Sequence, residues 1–221
     1  MGKVLGGGSS INVMIWARGH KNDWDYFASE AGDDRWSYEN VLKIYRGIED
    51  YQGAPDAERR GKGGLVYVQD APNPNPIAPA MLEACAGVGI PTFADQNGVM
   101  MEGNGGAAIP NVRFRDGKRL NIFDTYVRPI LDQPNITVLT YATVLKLVLD
   151  GTKVTGVEFV HGDAPLTILA SREVILSTGA INTPKILMQS GIGEAAQLRE
   201  HGIAVVADLP GVGKNYQDHV M

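Results

Sequence analysis

Hydrophobic positions follow two regimes along this chain. Between residues 20 and 90 they recur at helical spacing, and after 135 they form short β-branched runs broken by turn residues. Residues 22–30 read as a helix, with Asn22 or Asp23 as N-cap and Gly32 near its end. Ser37 caps a clearer helix, in which Tyr38, Val41, Leu42, Tyr45 and Ile48 follow the i, i+3, i+4, i+7 spacing of one buried face. A third helix, over 79–88, stops at Gly89. The apolar run Ile11–Trp16 fits a buried strand or the start of a helix. Residues 53–76 are turn-rich, with a short strand at Leu65–Gln69 and a rigid connector, Pro72-Asn73-Pro74-Asn75-Pro76. The stretch 92–118 reads as loop, with Asp116 an acidic N-cap candidate beside Gly117.

The second regime predicts strands at Ile136–Tyr141, Val144–Leu149, Val154–Phe159, Leu166–Ala170 and Glu173–Ser177. Asp150-Gly151 is a hairpin-turn dipeptide and His161-Gly162-Asp163 a second turn, so these strands read as an antiparallel meander feeding a last apolar strand. Asn182-Thr183-Pro184 starts a helix, with proline at the first helical position, and Gly191 ends it. A short helix over 194–201 stops at Gly202, before a strand at Ile203–Ala207. No internal repeat is present.

Composition narrows the function classes. The chain has 221 residues, 44% of them hydrophobic and 20% charged, which is enough apolar material for a packed core and too much for disorder. A single cysteine, Cys85, excludes a disulfide framework and a multi-cysteine zinc site. Lys plus Arg number 20 against 25 Asp plus Glu, a net charge of −5, and no basic stripe suggests a nucleic-acid partner. The longest apolar runs, such as Val13–Ala17 and Ile203–Ala207, fall far short of the roughly 20 residues that a membrane span needs. No signal peptide opens the chain, which leaves the compartment open and favours a cytoplasmic setting. Glycine is the outlier: 27 residues, about one in eight against a usual one in fourteen. It clusters at 6–8, 61–64, 103–106 and 211–213, as a backbone built for tight turns or close approach of a ligand would require.

Several motifs fail on context. Gly103–Ala108 and Gly191–Ala196 fit G-x-G-x-x-A on paper, yet neither is delivered by a strand into a helix N-terminus. Gly213-Lys214 is followed by Asn215 and lacks the P-loop spacing. His20 and His161 sit among polar turn residues, and His201 lies at a helix end, where the dipole favours it. Only His219, after Gln217-Asp218, sits near a glycine-rich, ligand-like context. Asn135-Ile136-Thr137 matches a glycosylation sequon but falls at a strand start.

The strong signals lie at the two ends. Gly2-Lys3-Val4-Leu5-Gly6-Gly7-Gly8-Ser9-Ser10-Ile11-Asn12, followed by Trp16-Ala17-Arg18-Gly19, resembles the first signature of the glucose–methanol–choline (GMC) oxidoreductases. The run from Gly179-Ala180-Ile181-Asn182-Thr183-Pro184 through Ser190-Gly191-Ile192-Gly193 resembles their second. Arg128-Pro129, Pro134–Val138, the meander and the closing Leu209–His219 also resemble the family, choline-dehydrogenase-like bacterial members above all.

The resemblance implies an α/β fold: part of a Rossmann-like FAD-binding domain with an antiparallel β-meander and a helical and loop-rich insertion. It divides the chain into an FAD-binding segment at 1–37, an insertion toward the flavin lid and substrate side at 38–125, and FAD-binding domain with meander at 126–221. It implies noncovalent FAD, since Ile11 stands where some members carry a flavin-tethering histidine. Carried over, Val4, Gly6, Gly7, Ser9, Asn12, Val13, Met14 and Ile15 neighbour the flavin, the backbone of Val144 meets the adenine, and Gly179 packs against the nucleotide. Asn12 can give or accept hydrogen bonds at the ring's polar edge. Asn121-Ile122-Phe123-Asp124-Thr125 departs from the small Ser/Ala-rich residues of the family, so a local rearrangement is expected there.

The family pattern places a true G-x-G-x-x-G unit before Met1, and the catalytic histidine with its His or Asn partner beyond Met221. The chain is therefore expected to be an internal fragment, inactive alone and without a catalytic residue of its own. The parent would oxidise a small-molecule alcohol to an aldehyde or ketone by hydride transfer to the flavin, the alcohol and the electron acceptor being left open. The alternatives are a hydroxynitrile-lyase-type flavoprotein without net redox chemistry and a non-catalytic FAD-binding remnant.

Overall fold

The structure, a computed structural model, describes residues 2–218; His219 therefore lies outside the described residues. The chain forms two compact units, Met1–Thr137 and Val138–Met221.

The first unit opens with a 3-10 turn at Gly7–Ser10 and a two-residue strand, β1 (Ile15–Trp16). Helix α1 (Lys21–Ala31) follows; its N-cap is His20, whose ring accepts from the Asn22 amide, rather than Asn22 or Asp23. Gly32 closes it in the left-handed region at φ 60°, the conformation a helix C-terminus reserves for glycine. Helix α2 (Tyr38–Ile48) runs directly into β2 (Glu49–Tyr51), a strand that the periodicity does not announce. Strand β3 (Val66–Asp70) precedes α3 (Ile77–Gly87), which begins two residues earlier than the spacing predicts.

The segment read as loop carries three short strands: β4 (Asn111–Val112), β5 (Phe114–Arg115) and β6 (Lys118–Arg119). Asp116 and Gly117 form the β5–β6 turn, both at positive φ, so Asp116 caps no helix. Strands order as β1-β4-β3-β2, antiparallel except for the β2–β3 pair. Tyr51, Val66 and Val68 form the apolar centre, with Trp16, Ile48 and Tyr126 packed on them. The departure at 121–125 has a structural counterpart, a single π-helical turn over Phe123–Val127.

The second unit is built on β7 (Thr143–Asp150), β8 (Lys153–His161) and β9 (Ala164–Leu169), the antiparallel meander that the alternation predicts. Gly151 and Gly162 turn its corners at positive φ. The runs at Ile136–Tyr141 and Glu173–Ser177 are not strands. They find no pairing partner among the described residues, and Tyr141 and Ile175 stay exposed. Helix α4 (Gly179–Gln189) starts three residues before Asn182, which puts Pro184 inside it. The proline leaves the Ala180 carbonyl without its i+4 donor. Beyond it lie β10 (Ile192–Gly193), α5 (Ala195–Glu200) and β11 (Ala207–Asp208), the last two residues long where a run from 203 was expected. Strands β10 and β11 pair in parallel.

Candidate functional site

The first glycine-rich segment is a turn that only glycine can make. Gly6 and Gly7 sit at φ 87° and 53°, and a Cβ on Gly6 would come within 2.5 Å of Ser10 Oγ. Ser9 Oγ donates to the Gly6 carbonyl at 2.5 Å and Ser10 Oγ to the Leu5 carbonyl at 2.7 Å, closing the turn from within. On its outer side nothing lies within 4 Å of where Cβ atoms on Gly7 and Gly8 would stand. Apolar side chains flanking this bare backbone are uncovered: Val4 is 53%, Ile11 58% and Val13 74% exposed. Asn12 Oδ1 accepts from the Met14 amide at 3.1 Å, holding Met14 at φ 65°, a costly conformation outside glycine. Ile15 then enters β1, paired with Val112.

What anchors this segment lies in the unit's polar interior, which the sequence does not announce. Glu49 is completely buried at the start of β2. Its Oε1 accepts from Trp16 Nε1 and Arg60 Nη2, each at 2.9 Å. Its Oε2 accepts from Arg60 Nε at 3.2 Å, from the Gly61 amide at 3.1 Å and from Arg18 Nη2. Arg60 Nη1 reaches on to Asp95 and to Asn111 Oδ1, both at 2.9 Å. Asn97 accepts from the Arg18 amide at 2.8 Å and donates to the Trp16 carbonyl at 2.8 Å and to Asn111 Oδ1 at 2.7 Å. The network thus grips Trp16 and Arg18, the two residues just past the glycine-rich segment. Burial lowers the Arg18 pKa, and the Glu49 carboxylate opposes that shift. Burial, then the neighbouring Glu102 carboxylate, pushes Tyr38 up to about 12. Arg113 is also buried, with Nε and Nη2 lacking any hydrogen-bond partner among the described residues, and desolvation lowers its pKa.

In the second unit Val144 lies on β7, an edge strand of the meander. A β-bulge falls at this point: Val144 pairs with Phe159 and Lys146 with Glu158, so Leu145 is the extra residue. Bulges free backbone groups from the ladder and are common beside binding sites. Helix α4 packs on β7, and Gly179 at its start has φ 88° with open space where a Cβ would be. Ser190, buried at the end of α4, donates to the Ile186 carbonyl at 2.6 Å and accepts from the Leu147 amide at 2.8 Å.

With these placements in hand, comparison with known proteins gives a consistent answer. Residues 1–221 match the family model described as GMC oxidoreductase. This chain belongs to the GMC oxidoreductase family. It is 43% identical over 219 residues to an oxygen-dependent choline dehydrogenase of Brucella anthropi, covering 99% of this chain and 39% of that protein. A protein of the same name from Sinorhizobium medicae is 42% identical with the same coverage. Among solved structures, a pyridoxine 4-oxidase from Mesorbium loti superposes with a TM-score of 0.83 at 30% identity, over 91% of this chain and 39% of that one. An FAD-dependent oxidoreductase from Chaetomium thermophilum gives a TM-score of 0.86 at 29% identity, over 96% and 38%. The chain therefore spans about two fifths of the length of the relatives it matches.

Within this GMC chain each unit, taken by itself, offers backbone that fits part of a flat or anionic group. The first unit offers a Cβ-free backbone flanked by uncovered aliphatic side chains, and the second offers an edge-strand bulge and an open glycine at a helix start. Val4, Gly6, Gly7, Ser9, Asn12, Val13, Met14 and Ile15 form one continuous surface segment, while Val144 and Gly179 lie on adjacent elements of the other unit. His20 is committed to capping α1, with Nε2 2.8 Å from the Gly103 carbonyl. His201 caps α5. No helix among the described residues is long and apolar enough to cross a membrane.

Proposed function

We propose that this chain supplies FAD-binding surface to an oxidoreductase that converts a small-molecule alcohol to its aldehyde or ketone. The observation that carries the reading is the Gly6–Ile15 segment, rigidly braced underneath and bare on its outer side. Membership of the GMC family and the names of the relatives, choline dehydrogenase and pyridoxine oxidase among them, support it.

When bound, FAD would supply the acceptor for the hydride of the carbinol carbon, the hydroxyl proton passing to a general base. The chain's own residues position and shield. Gly7 and Gly8 let the backbone approach a planar ring without a side chain between, and Val4, Val13 and Ile15 cover apolar ring surface and exclude water. Asn12 meets a polar edge. Val144 offers main-chain N–H and C=O to a base, and Gly179 lets the α4 backbone approach the nucleotide. Ile11 cannot form a covalent flavin link, so the cofactor is held noncovalently.

The test uses the protein expressed from its complete reading frame. Yellow colour that is lost to the supernatant on acid precipitation shows noncovalent flavin, and anaerobic addition of an alcohol series should bleach the flavin bands. A colourless protein that takes up no added FAD overturns the reading. A yellow protein bleached by dithionite but by no alcohol removes the alcohol-oxidising half.

A further inference from the structure

Two stretches more than 100 residues apart meet at Asn12. Arg119, half-buried at the end of the β5–β6 hairpin, donates through Nη1 to the Asn12 carbonyl at 2.6 Å, to Asn12 Oδ1 at 2.9 Å and to the Ser9 carbonyl at 3.4 Å. Next to it, the Ile122 amide donates to Ser9 Oγ at 3.0 Å, and the Asn121 side chain stands 3.1 Å from where a Cβ on Gly6 would be. No carboxylate pairs with Arg119 among the described residues. Its charge is directed at carbonyl oxygens of the glycine-rich turn alone.

This geometry decides a question that an asparagine by itself leaves open. The Met14 amide and the Arg119 guanidinium are both obligatory donors, and both address the same atom of the Asn12 side chain. That atom must be the carboxamide oxygen. The NH2 group is then turned away from them, exposed and without a hydrogen-bond partner among the described residues. We propose that Arg119 is a positioning residue that locks Asn12 as a hydrogen-bond donor, never an acceptor, toward the bound ligand. On the flavin reading proposed above, on which this last step rests, Asn12 donates to an acceptor atom at the polar edge of the isoalloxazine. Arg119 also holds the strained Met14 backbone indirectly, because it fixes the oxygen that the Met14 amide needs.

Three variants test this in the protein expressed from its complete reading frame, with two readouts: amide hydrogen exchange of the flavin-stripped protein, and FAD affinity with the visible spectrum. Arg119→Ala should raise exchange in peptides covering residues 9–14 by at least about tenfold and weaken FAD binding by at least about tenfold, the loss of one charge-assisted hydrogen bond. Exchange across the β7–β9 meander should not change. Arg119→Lys keeps one donor and should recover most of the protection. Asn12→Asp keeps the oxygen that Met14 and Arg119 need but removes the NH2. It should exchange like the wild type yet bind FAD at least about tenfold more weakly, with shifted flavin bands.

Unchanged exchange in Arg119→Ala overturns the positioning role. Raised exchange in that variant, together with an Asn12→Asp protein that binds FAD like the wild type, overturns the donor assignment. A wild type that binds no FAD, while Arg119→Ala still loosens residues 9–14, overturns the flavin step alone and leaves the positioning of Asn12 established.

Discussion

Replacing Glu49 tests whether the first unit is held together by its polar interior. The carboxylate is fully buried and takes five donors: Trp16 Nε1, Arg18 Nη2, two from Arg60 and the Gly61 amide. Removing one partner from a buried ion pair costs about 3–5 kcal/mol, because the other charge stays behind unpaired. Here two guanidinium groups stay behind, though Arg60 keeps Asp95 at 2.9 Å, which holds the expected cost within that range. Glu49→Ala should therefore destabilise the unit by about 3–5 kcal/mol. Glu49→Gln should cost nearly as much, since its NH2 must face donors on one side of the carboxylate. All three tryptophans, Trp16, Trp24 and Trp36, lie in this unit, so tryptophan fluorescence follows its unfolding without reporting on the second. At a urea m-value of about 2 kcal/mol/M the midpoint should fall by about 1.5–2.5 M. Glu39→Gln is the control: its pair with Lys43 at 2.9 Å is exposed and is worth about 0.5 kcal/mol or less. A Glu49→Gln midpoint that shifts no further than that of Glu39→Gln would refute the reasoning.

Three further outcomes follow from the same physics. Arg113 is 6% exposed, with Nε and Nη2 unpartnered among the described residues; Arg113→Leu should raise stability in urea by about 1–3 kcal/mol, and a loss instead would reveal an anionic partner for the guanidinium. Ser190→Ala breaks the bridge between Ile186 and Leu147 and leaves the Leu147 amide unpaired; it should cost about 1–3 kcal/mol in the second unit, read by circular dichroism of the β7–β9 signal. Burial and Glu102 raise the Tyr38 pKa to about 12, above the usual value near 10. The folded state then holds a proton that the unfolded chain releases, so this stability is full below pH 10 and is lost as the pH climbs toward 12. Tyr38→Phe should flatten the fall in thermal midpoint between pH 9 and 12, and a slope equal to that of the wild type would exclude Tyr38 as its source.

What the chain discloses before folding follows the range of the interaction involved. The meander was legible because alternation and the Asp150-Gly151 turn are local signals, and α1 and α2 because their apolar spacing and Gly32 are local too. The runs at Ile136–Tyr141 and Glu173–Ser177 carry strand composition without strand pairing, which a partner and not a propensity provides. Strand β2 escaped notice because Glu49-Asp50-Tyr51 looks polar; its first side chain is buried by salt bridges rather than by apolar contacts. At the candidate site, the proposed residues come from the family resemblance alone. Their supports, Glu49, Asn97 and Arg119, could not be read from the sequence, because they lie between 31 and 110 residues away from the atoms they hold. The sequence places His20 among polar turn residues with no catalytic task, and the structure gives its ring a structural one, capping α1.

The polar interior also accounts for the order imposed on segments with little regular structure. Residues 16–18, 59–61 and 95–97 belong to short or irregular stretches, and the apolar centre of the unit is small. An apolar contact tolerates sliding, whereas a two-pronged guanidinium–carboxylate pair and a buried carboxamide with named partners do not. Arg60 on Glu49, and Asn97 between Arg18, Trp16 and Asn111, therefore fix the exit of the glycine-rich segment. Arg119 fixes its other side through Ser9 and Asn12. Between these two clamps Val13 remains one of the most exposed aliphatic side chains of the unit. A surface held at both ends and bare in the middle has little conformational freedom left to lose when a ligand arrives, and that prior ordering lowers the cost of binding for the planar group proposed above.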